Sequence, residues 1–114
     1  MMFMEHVELA VLDGREAAFE AALCEVRQRV FMSRGFRGFA VAQGVVEQPS
    51  TYWVQVLWES PEELTEFEDS RFERCWAPVD PFLAGTPRLT HFVERPGLAI
   101  RGPGVISDLA WLSE

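Results

Sequence analysis

Residues 52–72 read YWVQVLWESPEELTEFEDSRF, and the order of signals within them decides the fold. Tyr52, Val54, Val56 and Trp58 alternate with Trp53, Gln55 and Leu57, the period of a strand whose two faces both carry large apolar groups. Ser60, Pro61 and Glu63 follow at once. A hydroxyl that can cap, a proline suited to a first helical turn and a carboxylate that can reach back each solve a different problem of a helix start. A strand therefore runs from Tyr52 to Glu59 and feeds directly into a helix. Leu64, Phe67, Phe72, Trp76 and Val79 continue at helical spacing, and Pro78 and Pro81 break the later part, so two helical pieces are expected.

Working outward, Phe36 to Glu47 is a second β-rich run, separated from the first by Gln48, Pro49, Ser50 and Thr51, short enough for an antiparallel hairpin. From Phe3 to Leu12, Val7, Leu9 and Val11 alternate with His6, Glu8 and Ala10 in a strand. Asp13 is placed to cap a helix with Glu16 at its third position, and Phe19, Ala22, Leu23, Val26 and Val30 carry that helix to about Ser33. Gly35 closes it, because a residue without Cβ takes the left-handed conformation freely. After the turn-like Ala84 to Pro87, Leu89, His91 and Val93 alternate in a last strand. The order strand, helix, strand, strand, helix, strand predicts an α+β, ferredoxin-like βαββαβ domain over residues 1–94, with a four-stranded antiparallel sheet and helices on one face. Residues 95–114 form a tail, expected to dock on the domain or on a partner subunit and to cover a pocket mouth.

The chain has 114 residues, enough for one core. Its net charge of -8 disfavours nucleic acid and anionic lipid as partners. No apolar run is long enough for a membrane span and the N-terminus lacks a signal-peptide pattern, so a cytoplasmic protein is expected. Cys24 and Cys75 lack metal-site spacing and read as free, partly buried thiols in apolar helical settings. All ten basic residues are arginine, and neither lysine nor asparagine occurs.

Helices on one face leave Trp53 and Leu57 on the other, an apolar patch that a second copy would cover. A homodimer through apposed sheets is the expected partnership. The pocket is expected between sheet and helices, lined by Val7, Leu9, Tyr52, Trp58, Phe72, Trp76 and His91. Trp58 can stack on a flat molecule, and His91, on the more apolar face of the last strand, can serve as a general base near neutral pH. His6 falls on the opposite face, toward interface or solvent. Glu62, Glu63, Glu66, Glu68 and Asp69 read as the solvated face of the second helix. Asp69 and Glu73 lie four apart without a partner histidine, so no metal is expected.

GREAAFEAAL after the first strand, VLWESPEELTEF, SRFERCWAPVDPFL and LTHF together resemble the antibiotic biosynthesis monooxygenase superfamily of dimeric α+β barrels, over residues 3–94. The step Trp58, Glu59, Ser60 is the most specific part. The resemblance implies a homodimer with any active site between sheet and helices of each subunit. Family members include enzymes that oxidise polycyclic phenols to quinones with oxygen and no cofactor, and haem degraders. The haem degraders' asparagine, tryptophan and axial histidine fall here on Val7, Trp58 and Trp76, and a valine and an indole cannot supply what those residues do. The quinone-forming site of Trp, Asn, Tyr and Arg lacks its asparagine here, so another group must take that role. The function expected is a cofactor-independent monooxygenase acting on an aromatic or polyketide-like small molecule. The alternatives are a non-catalytic module holding a small hydrophobic ligand in the same cavity and, behind it, a haem-binding protein.

Overall fold

The computed structural model describes residues 1–98. The four expected strands form one antiparallel sheet: β1 (Phe3–Ala10), β2 (Phe36–Gln43), β3 (Thr51–Trp58) and β4 (Arg88–Val93), in the order β2-β3-β1-β4. Three helices accompany them: α1 (Glu16–Phe31), α2 (Pro61–Ser70) and α3 (Phe72–Trp76), the last continued by a 3-10 turn over Ala77–Phe82. This is the ferredoxin-like α+β fold.

Period two along the strands becomes a buried face. Register pairs Leu9 with Tyr52, Val7 with Val54 and Glu5 with Val56, so these side chains share one side of the sheet. Against them pack Phe19, Leu23, Val26 and Val30 of α1, Leu64 and Phe67 of α2, Cys75 and Trp76 of α3, and Val79. The opposite face is open. Trp53 and Phe92 stand there, 41 % and 49 % exposed, with the His6 ring 5.8 Å and 4.8 Å from theirs. Leu57, expected among the groups left in water, is instead buried within one chain. Its register neighbours on this face include Met4, which in turn pairs with Phe92.

Ser60 is extended and its Oγ accepts the Glu63 backbone N–H at 3.2 Å. The Glu63 carboxylate reciprocates by accepting the Ser60 hydroxyl at 3.0 Å. The second helix does divide, but between Ser70 and Phe72, ahead of both prolines. Ser70 Oγ donates to the Glu66 carbonyl at 2.6 Å, a local bond that competes with the helical ladder. Pro78 and Pro81 lie instead in the 3-10 turn.

Several boundaries differ from expectation because tertiary partners take over. Asp13 does not cap α1: its carboxylate accepts from Ser50 Oγ at 3.2 Å, Arg15 occupies the cap position without a side-chain bond, and a Leu12–Arg15 turn containing Gly14 precedes the helix. The helix ends at Phe31, not Ser33. β1 ends at Ala10, short of Leu12, because Val11 turns to bridge Leu83 and the Leu12 N–H donates to Phe82. β2 ends at Gln43, short of Glu47, where Gly44 enters a turn whose Gln48 carbonyl occupies the space a Cβ would need. Gly35 has φ 83 as expected, and the Glu63 carboxyl occupies the space a Cβ would need. The expected docking of the tail falls mainly on residues 99–114, outside the described residues. Among the described residues no helix is long and apolar enough to cross a membrane.

Candidate functional site

The residues expected to line one pocket divide between core, edge and cleft. Val7, Leu9, Tyr52, Trp58 and Trp76 are buried. The Trp58 ring lies 4.8 Å from Phe67 and 6.4 Å from Phe36, while Trp76 stacks at 5.5 Å on the partly buried Phe72 and at 6.4 Å on Phe39. His91 stands at the sheet edge with its side chain 52 % exposed. Two arrangements of polar groups emerge on the helix-covered face.

The first joins β1, α2 and β4. Register puts Glu5 opposite both Val56 and His91, on the covered face of the central strand. The Glu5 side chain is fully buried, and among the described residues neither carboxyl oxygen has a hydrogen-bond partner of normal geometry; the Trp58 indole N–H is likewise unpartnered there. Burial pushes the Glu5 carboxyl up to about 9; the adjacent Glu68 carboxyl adds to the rise, and the nearby Trp58 indole opposes it. Glu5 is therefore a neutral acid near pH 7. Glu68, expected in solvent, is 17 % exposed and lies 2.7 Å from His91 Nε2. It follows Leu64 by one helical turn, so it shares that residue's sheetward side. Glu63 leaves the solvated face too, held by the cap at Ser60. One donor atom each from Glu5, Glu68 and His91 lies within 4.8 Å of the others.

The second is a cleft of about 470 Å³ between α1 and the β2 side of the sheet. Glu20, Leu23, Cys24 and Arg27 contribute from α1, Phe39, Val41 and Gln43 from β2, and Tyr52 from β3. The α1 set falls at i, i+3, i+4 and i+7, one helix face, and the β2 set alternates along one strand face. Cys24, expected to be partly buried, is exposed here because it lies one position round from the buried stripe. Of the expected lining residues, Tyr52 is the one this cleft shares.

The Tyr52 ring is buried and its hydroxyl donates to Glu20 Oε2. Burial, then the hydrogen bond to Glu20 and the charges of Glu20 and Glu16, raise the phenol well above its usual value. Tyr52 thus stays a donor and holds the Glu20 carboxylate in place. Because the folded value exceeds the unfolded one, this contribution to stability is full below about pH 10 and is lost as pH rises through the folded value. The chain has a single tyrosine. Absorbance near 295 nm should therefore show no phenolate at pH 10.5 in the folded protein and clear ionisation in denaturant. Equal titration in both states would contradict the Tyr52–Glu20 pairing.

The description "Antibiotic biosynthesis monooxygenase" belongs to a family model that matches residues 2–77. The chain belongs to that family. A crystal structure of a candidate antibiotic biosynthesis monooxygenase from Bordetella bronchiseptica is 29 % identical, with a TM-score of 0.74 over 82 % of this chain and 97 % of that one. A Caulobacter crescentus protein of the same designation gives 22 % identity and a TM-score of 0.67 over 80 % and 87 %. A variant of SnoaB, described as a cofactor-independent oxygenase from Streptomyces nogalater, shares the fold at 14 % identity and a TM-score of 0.69 over 82 % and 93 %. No curated protein sequence matches the chain. Val7, Trp58 and Trp76, onto which the sequence resemblance carries the haem degraders' positions, are all buried in the aromatic and aliphatic core. They offer a haem iron no ligand atom.

The cleft and the Glu5 cluster escaped sequence reading for different reasons. The cleft depends on the spacing between α1 and β2, which no local pattern encodes. Glu5 and Glu68 did carry a signal, since Glu5 precedes Val7 by two in a period-two strand and Glu68 follows Leu64 by four.

Proposed function

We propose that this family member is a monooxygenase that binds a flat, hydroxylated aromatic or polyketide-like molecule in the cleft between α1 and β2 and oxidises it with molecular oxygen, without a cofactor. The observation that carries this reading is the cleft's lining, apolar walls of Leu23, Phe39 and Val41 beside a Tyr52–Glu20 pair and the Arg27 guanidinium. Its volume lies in the range of small-molecule sites. Glu20 accepts the proton of an acidic substrate C–H or O–H, Tyr52 fixes that carboxylate, and Arg27 stabilises the resulting oxyanion. Arg27 makes no ion pair among the described residues. Gln43, whose Nε2 donates to the Pro49 carbonyl at 2.6 Å, keeps its amide oxygen for the substrate.

The deprotonated substrate is the reductant. With an anthrone, one oxygen atom becomes the new carbonyl of the quinone and the other leaves as water with the two methylene hydrogens, so CH2 plus O2 balances C=O plus H2O. Oxygen uptake with a panel of anthrones and hydroquinones, compared with Arg27→Gln, is the test. Uptake that falls in the variant supports the reading. Binding without uptake reduces the protein to a ligand-holding module, and uptake unchanged in the variant removes the cleft from the chemistry.

A second reading places catalysis at Trp58 and His91, favoured by the 2.7 Å contact between His91 and Glu68. It requires substrate to reach an indole with no exposed surface. Loss of uptake in His91→Gln and Trp58→Phe, with Arg27→Gln unaffected, would favour it.

The open sheet face supports a homodimer, because Trp53, His6 and Phe92 form an aromatic patch in water there. Light scattering should give twice the chain mass, and Trp53→Glu should shift it to one. A monomeric native protein would overturn the assignment.

A further inference from the structure

Glu5 is an anomaly in a strand face otherwise built from Phe3, Val7 and Leu9. Its carboxyl is fully buried on β1, and among the described residues both oxygens lack a hydrogen-bond partner of normal geometry. An unpaired buried acid is costly and persists in a fold when something compensates it. Facing it are a second carboxyl, Glu68 on α2, and an imidazole, His91 on β4, with one donor atom of each within 4.8 Å of the others. Nothing basic other than His91 enters this group of three.

Two occupants could reconcile the two carboxyls. A proton shared by Glu5 and Glu68 satisfies a single oxygen pair and leaves His91 its 2.7 Å contact to Glu68, whereas a dication takes a lone pair from all three side chains at once. Tetrahedral donors about 2.1 Å from an ion stand about 3.4 Å apart, so the widest observed spacing has to close by under about 1.5 Å and the 2.7 Å contact between His91 and Glu68 has to open. The half-exposed His91 gives an ion a way in from solvent and leaves positions for water.

We propose that Glu5, Glu68 and His91 bind one divalent first-row transition ion, of which Zn²⁺, Co²⁺ and Mn²⁺ are representatives. Two carboxylates with one imidazole suit such ions, while Ca²⁺ asks for six or more oxygens and Mg²⁺ retains most of its water. The ion pins α2 and β4 to the central strand, and its work is structural. It lies on the β1–β4 side of the covered face, apart from the cleft beside α1 and β2, so it stands or falls independently of the oxygenase reading.

The test uses the full chain, freed of metal with a chelator and dialysed. Calorimetric titration with ZnCl2 or MnCl2 should show one ion per chain, and saturating Zn²⁺ should raise the melting temperature by several degrees, as a ligand selective for the folded state must. Co²⁺ should produce visible absorption bands. The ion displaces the Glu5 proton to solvent as it binds. Glu5→Gln, which keeps shape and removes the carboxylate so formed, and His91→Gln, at a half-exposed position, should each weaken binding at least tenfold. Absent saturable binding, binding unchanged in both variants, or Ca²⁺ bound as tightly as Zn²⁺ would overturn the proposal. If Glu5→Gln fails to fold, His91→Gln decides alone. None of these readings involves turnover, so failure of the oxygenase assay leaves the result intact.

Discussion

Glu20→Gln is expected to lower oxygen uptake with a reactive anthrone about 10²- to 10⁴-fold, the usual contribution of a positioned proton acceptor. The amide oxygen of glutamine still accepts the Tyr52 hydroxyl, so the geometry of the cleft is retained while the base is lost. Glu20 is exposed on α1, outside the buried stripe of Phe19, Leu23, Val26 and Val30, so folding should be unaffected. The loss should appear in kcat more than in KM, because the group acts on the proton in flight and contributes little to ground-state binding. Unchanged uptake would remove Glu20 from the mechanism. Tyr52→Phe should fall less, since it frees the carboxylate without removing it.

Trp58→Ala is expected to cost about 3–5 kcal/mol of unfolding free energy, read from a urea melt, the usual toll of emptying a large aromatic site. The ring has no exposed surface, and Phe36 and Phe67 flank it from β2 and α2. Deleting it leaves a void between sheet and helix and takes away the one indole N–H beside the Glu5 carboxyl. Against a typical domain stability of about 5–15 kcal/mol, much of the reserve would go. Trp58→Phe should retain most of it. A loss below about 1 kcal/mol would show that the neighbours collapse readily, and would reopen the case for Trp58 as a pocket wall.

The fold was legible where period and punctuation agree. Tyr52, Val54, Val56 and Trp58 announce a face, Ser60 to Glu63 announce a helix, and Gly35 announces a stop, because each rests on local geometry. Asp13 has the chemistry of a cap but does not cap, because its carboxylate is claimed by Ser50, a residue brought near only by the hairpin. The Trp58 neighbourhood drew attention as a pocket because tryptophan is also a ligand-stacking residue, but its flanking phenylalanines fill the space. Charged residues in apolar stripes were the signal left unread. Glu5 and Glu68 sit in register with core positions, and a carboxyl in such a place is itself evidence of a site. The Tyr52–Glu20 pair is tertiary, and only the packing of α1 across β3 reveals it.

Placing the first strand in the middle of the sheet has a cost in time. Phe3 pairs with Trp58 on one side and with Val93 on the other, so β1 gains its first neighbour only once β3 has been made and its second only after β4. Pairings of such long range close slowly, and a half-built sheet shows unpaired edges and apolar surface while it waits. The nascent chain should therefore lean on chaperones until β4 arrives. Moving the chain ends by circular permutation, so that β4 and β1 become consecutive, should speed refolding without changing the native contacts.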